Sequence, residues 1–143
     1  MFAPSQEQVR RFFCEAWSKH QGVMPLTPLE ALAVDWMVEH PEYHDDLADA
    51  DAAVARKYSV EDGRTNPFLH LSMHLSITEQ VSIDQPRGIK PALEKLAARR
   101  SSMHEAHHEA MEALGEMVWA SQRNGSPFDG EAYIARILSL ATR

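Results

Sequence analysis

The sequence lacks the features that mark secreted, membrane-spanning and nucleic-acid-binding proteins. Its 143 residues include one cysteine, Cys14, which excludes an internal disulfide and a Cys-rich zinc site. No apolar run approaches the roughly 18 residues that a membrane span needs, and the N-terminus does not resemble a signal peptide. The net charge of -7 disfavours nucleic acid, because phosphate binding needs a basic face. We therefore expect a cytoplasmic protein with no nucleic-acid and no membrane partner.

Helix start signals recur along the chain, and no convincing strand pair accompanies them. Ser5 with Gln8, and Thr27 with Glu30, have the spacing of a capping box, in which two side chains satisfy backbone N–H groups reciprocally. The Asn-Pro pair at residues 66–67 is typical of another helix start. The pattern therefore predicts an all-α protein.

Breaks between these segments predict how many helices the chain forms. The stretch "SVEDGRTNPF", residues 59–68, reads as a loop. A helix-forming segment runs from about Pro91 to Arg123 and stops at "NGSPFDG", and a last amphipathic helix closes the chain. We expect one domain over residues 1–143, a helical bundle of about five to six helices with an up-and-down core.

Histidine is abundant, and its spacing is regular. Of eight histidines, six form three pairs four residues apart: His40 and His44, His70 and His74, His104 and His108. Random placement would give only about 0.4 such pairs, and the spacing puts both rings of a pair on one helix face. Pro41 interrupts the first pair, so His40 is expected to lie before a helix rather than on it.

The second pair falls on the apolar face of its helix. At 100° per residue, His70 and His74 share an arc with Ile77 and Val81, opposite to polar side chains. Two imidazoles in a core-facing stripe are costly without partners, so this face indicates a metal site.

The third pair begins a ladder along the next long helix. His104, His108, Glu112 and Glu116 follow one another at four-residue intervals on one edge. His107 falls on the apolar side, where it is either a ligand or a core histidine bonded to a carbonyl. The ladder predicts a second wall of the same metal site.

Imidazole with a few carboxylates suits iron, zinc, manganese, copper or nickel rather than calcium or magnesium. One tetrahedral zinc uses at most four ligands, fewer than the candidates here, so the ligand count favours two metals bridged by a carboxylate. The expected ligands are His70, His74, His104, His108, Glu112, His44 and His40, followed by His107, Glu116 and Glu105.

The stretches "HPEYH", "NPFLHLSMHLSITEQVSIDQPRGI" and "LGEMVWASQR" resemble a bacterial family of short proteins known as a domain of unknown function. The resemblance covers roughly residues 5 to 140 and implies a self-contained domain. In ligand chemistry the chain also resembles hemerythrins, whose helical bundle holds two irons with mostly histidine ligands. The order of its ligands differs from the hemerythrin order.

Two hypotheses of function follow, from different classes. The first is a dinuclear, iron-first centre, with zinc or manganese as alternatives, that binds, senses or reduces O2, peroxide or NO; it predicts close to two metals per chain. The second is a non-catalytic helical adaptor that has one structural zinc or no metal and binds a partner protein. A homodimer is left open.

The segment from His104 to His108 also matches HExxH, the signature of many zinc proteases. In that reading Glu105 acts as general base and a zinc hydrolase is a minor alternative. The third ligand of such enzymes usually comes from a distant segment, whereas Glu112 is one turn further along the same helix. We therefore prefer the longer ladder to the five-residue motif.

Overall fold

A computed structural model describes residues 5–58 and 66–143, and this part of the chain contains helices and no strand. The helices are α1 (Gln6–Gln21), α2 (Pro28–Val38), a 3-10 turn (Pro41–Tyr43), α3 (His44–Leu47), α4 (Ala50–Ala55), α5 (Pro67–Ile83), α6 (Ile89–Arg100), α7 (Met103–Asn124) and α8 (Gly130–Leu140). The all-α prediction is confirmed. Among the described helices, none combines the length and the apolar character needed to cross a membrane.

The expected count of five to six helices was too low, since the described residues form eight. The segment from Pro91 to Arg123, expected to be continuous, is divided at two serines. Ser101 adopts a left-handed conformation with φ of 55° and ends α6, and Ser102 begins α7 by accepting a hydrogen bond from the backbone N–H of Glu105. Capping side chains thus ended a helix that composition alone would have continued.

The segment after Pro41 is divided for the same kind of reason. Proline opens a single 3-10 turn, and a short α3 follows it. The Asp49 side chain then accepts hydrogen bonds from the backbone N–H groups of Asp51 and Ala52, so α4 starts as a separate helix.

The predicted helix starts are confirmed in atomic detail. The Ser5 and Gln8 side chains bond each other's backbone N–H groups at 3.1 and 2.8 Å, and Thr27 and Glu30 repeat the arrangement. Asn66 Oδ1 accepts from two N–H groups in the first turn of α5. Of the loop predicted over residues 59–68, residues 59–65 lie outside the described part of the chain.

Contacts along the chain cluster into two units, Met1–Leu75 and Ser76–Arg143. In the first unit, α1 packs against α2 and α4. Its buried core includes Phe13, Trp17, Met37 and Leu71. Cys14 lies in the same core as a small buried side chain, and burial raises the pKa of its thiol to about 11.

In the second unit, α6, α7 and α8 pack against one another. Tyr133 is fully buried, and its hydroxyl donates to Gln80 Oε1 over 2.8 Å, which satisfies its polar end. Burial raises the pKa of this tyrosine far above its usual range. The single domain over residues 1–143 and its up-and-down core stay predictions.

The two serines between α6 and α7 should respond oppositely to substitution. Ser101→Gly relieves the left-handed conformation of a side-chain-bearing residue and should stabilise the protein by about 0.5 kcal/mol. Ser102→Ala removes the cap of α7 and should cost about 1 kcal/mol. Urea unfolding of both variants measures the difference, and two changes of the same sign would contradict the capping assignment.

Candidate metal centre

Three histidines of the first unit bring their ring nitrogens together. His74 Nε2 lies 3.2 Å from His40 Nε2 and 3.1 Å from His70 Nε2. The nitrogens that could bind a metal all lie within 4.8 Å of one another. We call His40, His70 and His74 the imidazole triad. It brings together one residue from the turn after α2 and two from α5.

One nitrogen of His74 has more close neighbours than it can bond at full strength. A neutral ring nitrogen either donates one proton or accepts through one in-plane lone pair. His74 Nε2 has two imidazole neighbours at hydrogen-bond distance, so the two contacts compete for its one lone pair or its one proton. A cation placed among the three nitrogens would accept a lone pair from each ring at once.

The backbone explains how each triad member arrives. His70 and His74 lie one turn apart on α5, with ring centroids 4.7 Å apart. His40 lies outside any helix: it precedes the 3-10 turn with φ of -124°, and its carbonyl accepts from the N–H of Tyr43. Pro41 therefore separates His40 from His44. The turn nevertheless places the His40 ring beside His74.

Aromatic rings cover two of the imidazoles. Trp36 stacks on His74 with centroids 4.0 Å apart and an interplanar angle of 15°. Tyr43 stacks on His40 at 5.1 Å and meets the edge of His70 at 5.6 Å. His74 is 0% and His40 is 4% exposed, so these rings lie in an apolar setting where a charge needs compensation.

Glu42 is a residue that sequence reasoning passed over. Its Oε2 lies 2.9 Å from His40 Nδ1, on the side of the ring away from the triad contacts. The hydrogen bond to His40 holds the pKa of the Glu42 carboxyl below its usual value. A carboxylate behind an imidazole fixes the ring's tautomer and orientation and makes its other nitrogen a better ligand. The acid two residues after a histidine in "HPEYH" was the available signal.

His44, an expected ligand, has a different environment. Its Nε2 lies 2.8 Å from the carbonyl oxygen of Met37, and its ring stacks on Trp17 at 4.2 Å. An Nε2–H that donates to a carbonyl is not available as a lone pair to a metal. The structure thus places His44 Nε2 against the last turn of α2, and the role of His44 as a ligand stays a prediction. The four-residue spacing to His40 reflects no shared helix face.

The second unit holds the other expected histidines on α7. The rings of His104 and His108 lie 4.4 Å apart, edge to face, as the four-residue spacing predicts. His107 is 5% exposed, and burial, together with the neighbouring His104 and His108, lowers its pKa to about 4. His107 is therefore neutral at pH 7. As metal ligands, these three histidines stay predictions.

The expected carboxylate ligands lie toward the solvent side of α7. Glu105, Glu112 and Glu116 are all exposed, and Glu116 Oε2 lies 3.5 Å from Arg136 Nε. Glu105 is in the first turn of α7, where a negative charge favours the helix dipole. The role of each as a ligand stays a prediction.

The fold and the imidazole triad define a class: an all-helical protein with a histidine cluster able to hold a metal ion. A family model described as a domain of unknown function, DUF1841, matches residues 5–139, and the chain belongs to this family. The resemblance to a domain of unknown function is thereby confirmed, and the likeness to hemerythrins in ligand chemistry stays a prediction. No curated protein and no solved structure matches the chain.

The buried His107 should make the metal-free protein less stable in acid. Its pKa falls from the ordinary 6.5, which applies in the unfolded chain, to about 4 in the folded protein, so the unfolded chain takes up the proton first. The free energy of unfolding is therefore highest above pH 6.5 and decreases as the pH falls toward 4, by about 3 kcal/mol at most. Urea unfolding at several pH values measures this slope.

His107→Leu should flatten the slope between pH 6.5 and 4, because the variant has no group to protonate there. His20→Leu is the matched control, since His20 is exposed at the end of α1. An unchanged slope in His107→Leu would show that the acid sensitivity arises elsewhere.

Proposed function

We propose that this protein binds a transition-metal ion at the imidazole triad of His40, His70 and His74. The observation that carries the proposal is the approach of two imidazole nitrogens to within 3.2 Å of His74 Nε2. Two neighbours that compete for one lone pair or one proton of an imidazole are each bonded weakly, whereas a cation can bond all three rings at full strength. A metal ion accounts for all three nitrogens together.

The spacing of these nitrogens supports one ion rather than a chance cluster. Two nitrogens each about 2.1 Å from one metal lie roughly 3.0 Å apart at octahedral angles and roughly 3.4 Å apart at tetrahedral angles. The two separations in the structure, 3.1 and 3.2 Å, fall between these values. Imidazole ligands favour iron, zinc, copper or nickel, of which we place iron first and zinc second.

We further propose His108 as a fourth ligand, with His104 beside it. The support is the sequence: a second histidine pair with the spacing of the α5 pair, on a helix whose His107 faces the core. A bridging role for Glu112 receives less support because this residue is exposed. We therefore favour one ion per chain over the two that ligand counting first indicated.

Such a centre would suit the binding of a small ligand. If four imidazoles held an iron that prefers six ligands, at least one position would stay open for O2, NO or peroxide. Glu42 would orient His40, and Trp36 and Tyr43 would exclude bulk water from the ion. A sensing or redox role is proposed on this basis.

A structural zinc is the second candidate, and one observation favours it. The near-complete burial of His40 and His74 resembles a closed site, in which four protein ligands surround a tetrahedral ion. Zinc would then brace a helical adaptor for a partner protein. The HExxH hydrolase receives no such support, because Glu105 is exposed in the first turn of α7.

His74→Ala should lose the metal. Elemental analysis of the purified wild-type protein should find close to one iron or zinc per chain, and the variant should retain less than about a tenth of it, because His74 is shared by both short contacts. His20→Ala, at an exposed histidine of the same unit, should retain full metal content. Circular dichroism establishes that the helices persist.

The same samples discriminate between the candidates. Visible absorption that changes with O2 or NO supports the iron centre, whereas a colourless protein that melts at lower temperature after chelation supports structural zinc. Two metals per chain would restore the dinuclear hypothesis. A folded wild-type protein that takes up neither iron nor zinc would contradict metal binding.

Glu42→Gln should weaken metal binding without abolishing it. The amide still reaches His40 but carries no charge, so the imidazole becomes a poorer donor, and affinity should fall by about 10- to 100-fold. Competition with a chromogenic chelator measures the dissociation constant. Glu79→Gln, at an exposed acid on α5, is the control and should match the wild type. Equal affinity in both variants would remove Glu42 from the site.

A further inference from the structure

The first unit contains a buried positive charge that the metal proposal does not use. Arg10 of α1 is 7% exposed. Its Nη1 donates to the carbonyl oxygens of Ala53 and Arg56, at 2.8 and 2.6 Å. Its guanidinium carbon lies 5.4 Å from the centre of the Tyr58 ring and 5.5 Å from that of Phe68. These neighbours offer partial negative charge and no formal charge.

The neighbouring arginine of the same helix, Arg11, has carboxylate partners. Arg11 is exposed and lies within 3.9 Å of Glu7 and 3.2 Å of Asp51. Within residues 5–58 and 66–143, Arg10 forms no ion pair with a carboxylate. A buried charge that has no counterion among the described residues is costly, so the setting of Arg10 favours an anion.

Arg10 also lines a cavity of about 250 Å³. Arg10, Gln6, Asn66 and Ser72 contribute its polar lining, and Val9 and Phe68 are among its apolar walls. The first-turn amides of the 17-residue helix α5 are at the same place, bonded to Asn66 Oδ1, and the positive end of that helix adds to the field of Arg10.

We propose that this cavity binds a small organic carboxylate whose anionic end pairs with Arg10. A guanidinium with free N–H positions recognises carboxylate geometry, because its planar fork matches the two oxygens. The apolar walls favour a short aliphatic body over a bare inorganic ion. The volume is below the roughly 300–1,000 Å³ of pockets for drug-sized ligands, so the ligand has only a few carbons.

The test titrates the whole protein with sodium acetate, propionate and butyrate at constant ionic strength, followed by amide NMR. The amides of Phe68 and Leu69 should shift saturably, and the dissociation constant should fall about threefold for each added methylene. Butyramide, which keeps the chain and lacks the charge, should not bind. Phosphate and sulfate should bind more weakly than butyrate, because they make no apolar contact.

Gln6→Glu is the decisive variant. Gln6 is exposed at the start of α1, so the added charge leaves the fold intact while it repels an anion at the cavity. Butyrate affinity should fall by about threefold or more. Arg10→Met should abolish binding, and Arg11→Met, one residue further along α1, should leave it unchanged.

The outcomes separate the alternatives even where Arg10→Met fails to fold. Equal binding of butyramide, or a Gln6→Glu variant with wild-type affinity, would overturn an anion site. Binding of phosphate with no dependence on carboxylate chain length would overturn the assignment to organic carboxylates. Metal content is measured on the same variants and should be unaffected, because no triad residue borders the cavity.

Discussion

An imidazole nitrogen has a single bonding direction, and His74 Nε2 has two neighbours that compete for it. This conflict, inside a nearly water-free environment, is the constraint on which the proposed site depends. In water, each of the three rings would instead form its own hydrogen bonds to solvent. With His74 fully buried, a shared cation would satisfy all three rings, as proposed above.

The positions of the triad follow from two different kinds of local structure. Asn66 caps the start of α5, and the apolar spacing of this helix buries His74, with the half-buried His70 one turn before it. His40 arrives by a different route. It lies in the turn between α2 and the 3-10 turn, and Glu42 holds the far side of its ring. In the proposed site, two ligands would come from one regular helix, α5, and the third from an irregular turn.

Positive and negative charges are placed differently in this protein. Its acids are mostly exposed, as the net charge of -7 leads one to expect, and the α7 carboxylates point toward solvent. The buried cation Arg10 instead lies among carbonyl oxygens and aromatic rings. Desolvation explains the contrast: a buried charge is stable only where dipoles, rings or a bound ion of opposite sign surround it.

Helix-face arithmetic locates residues well where the helix is regular. It put His70 and His74 on the core side of α5 and His107 on the core side of α7, and the burial of His74 and His107 confirms this. For the pair at His40 and His44, the interruption expected at Pro41 is confirmed: His40 precedes the 3-10 turn and His44 begins α3. Helix-face arithmetic also favoured Glu112 as a ligand; this side chain is exposed, and its role as a ligand stays a prediction.

By itself, the sequence determined the helical class, the capped starts of α1, α2 and α5, and the inward face of the α5 histidines. Each of these depends on residues within a few positions of one another, and local hydrogen bonds and periodicity decide them. Only the tertiary structure decided that His40 joins the triad, that His44 packs on Trp17, and that Glu42 backs the site. Those contacts join side chains across turns, where small backbone rotations change which groups meet, and no periodicity in the sequence records them.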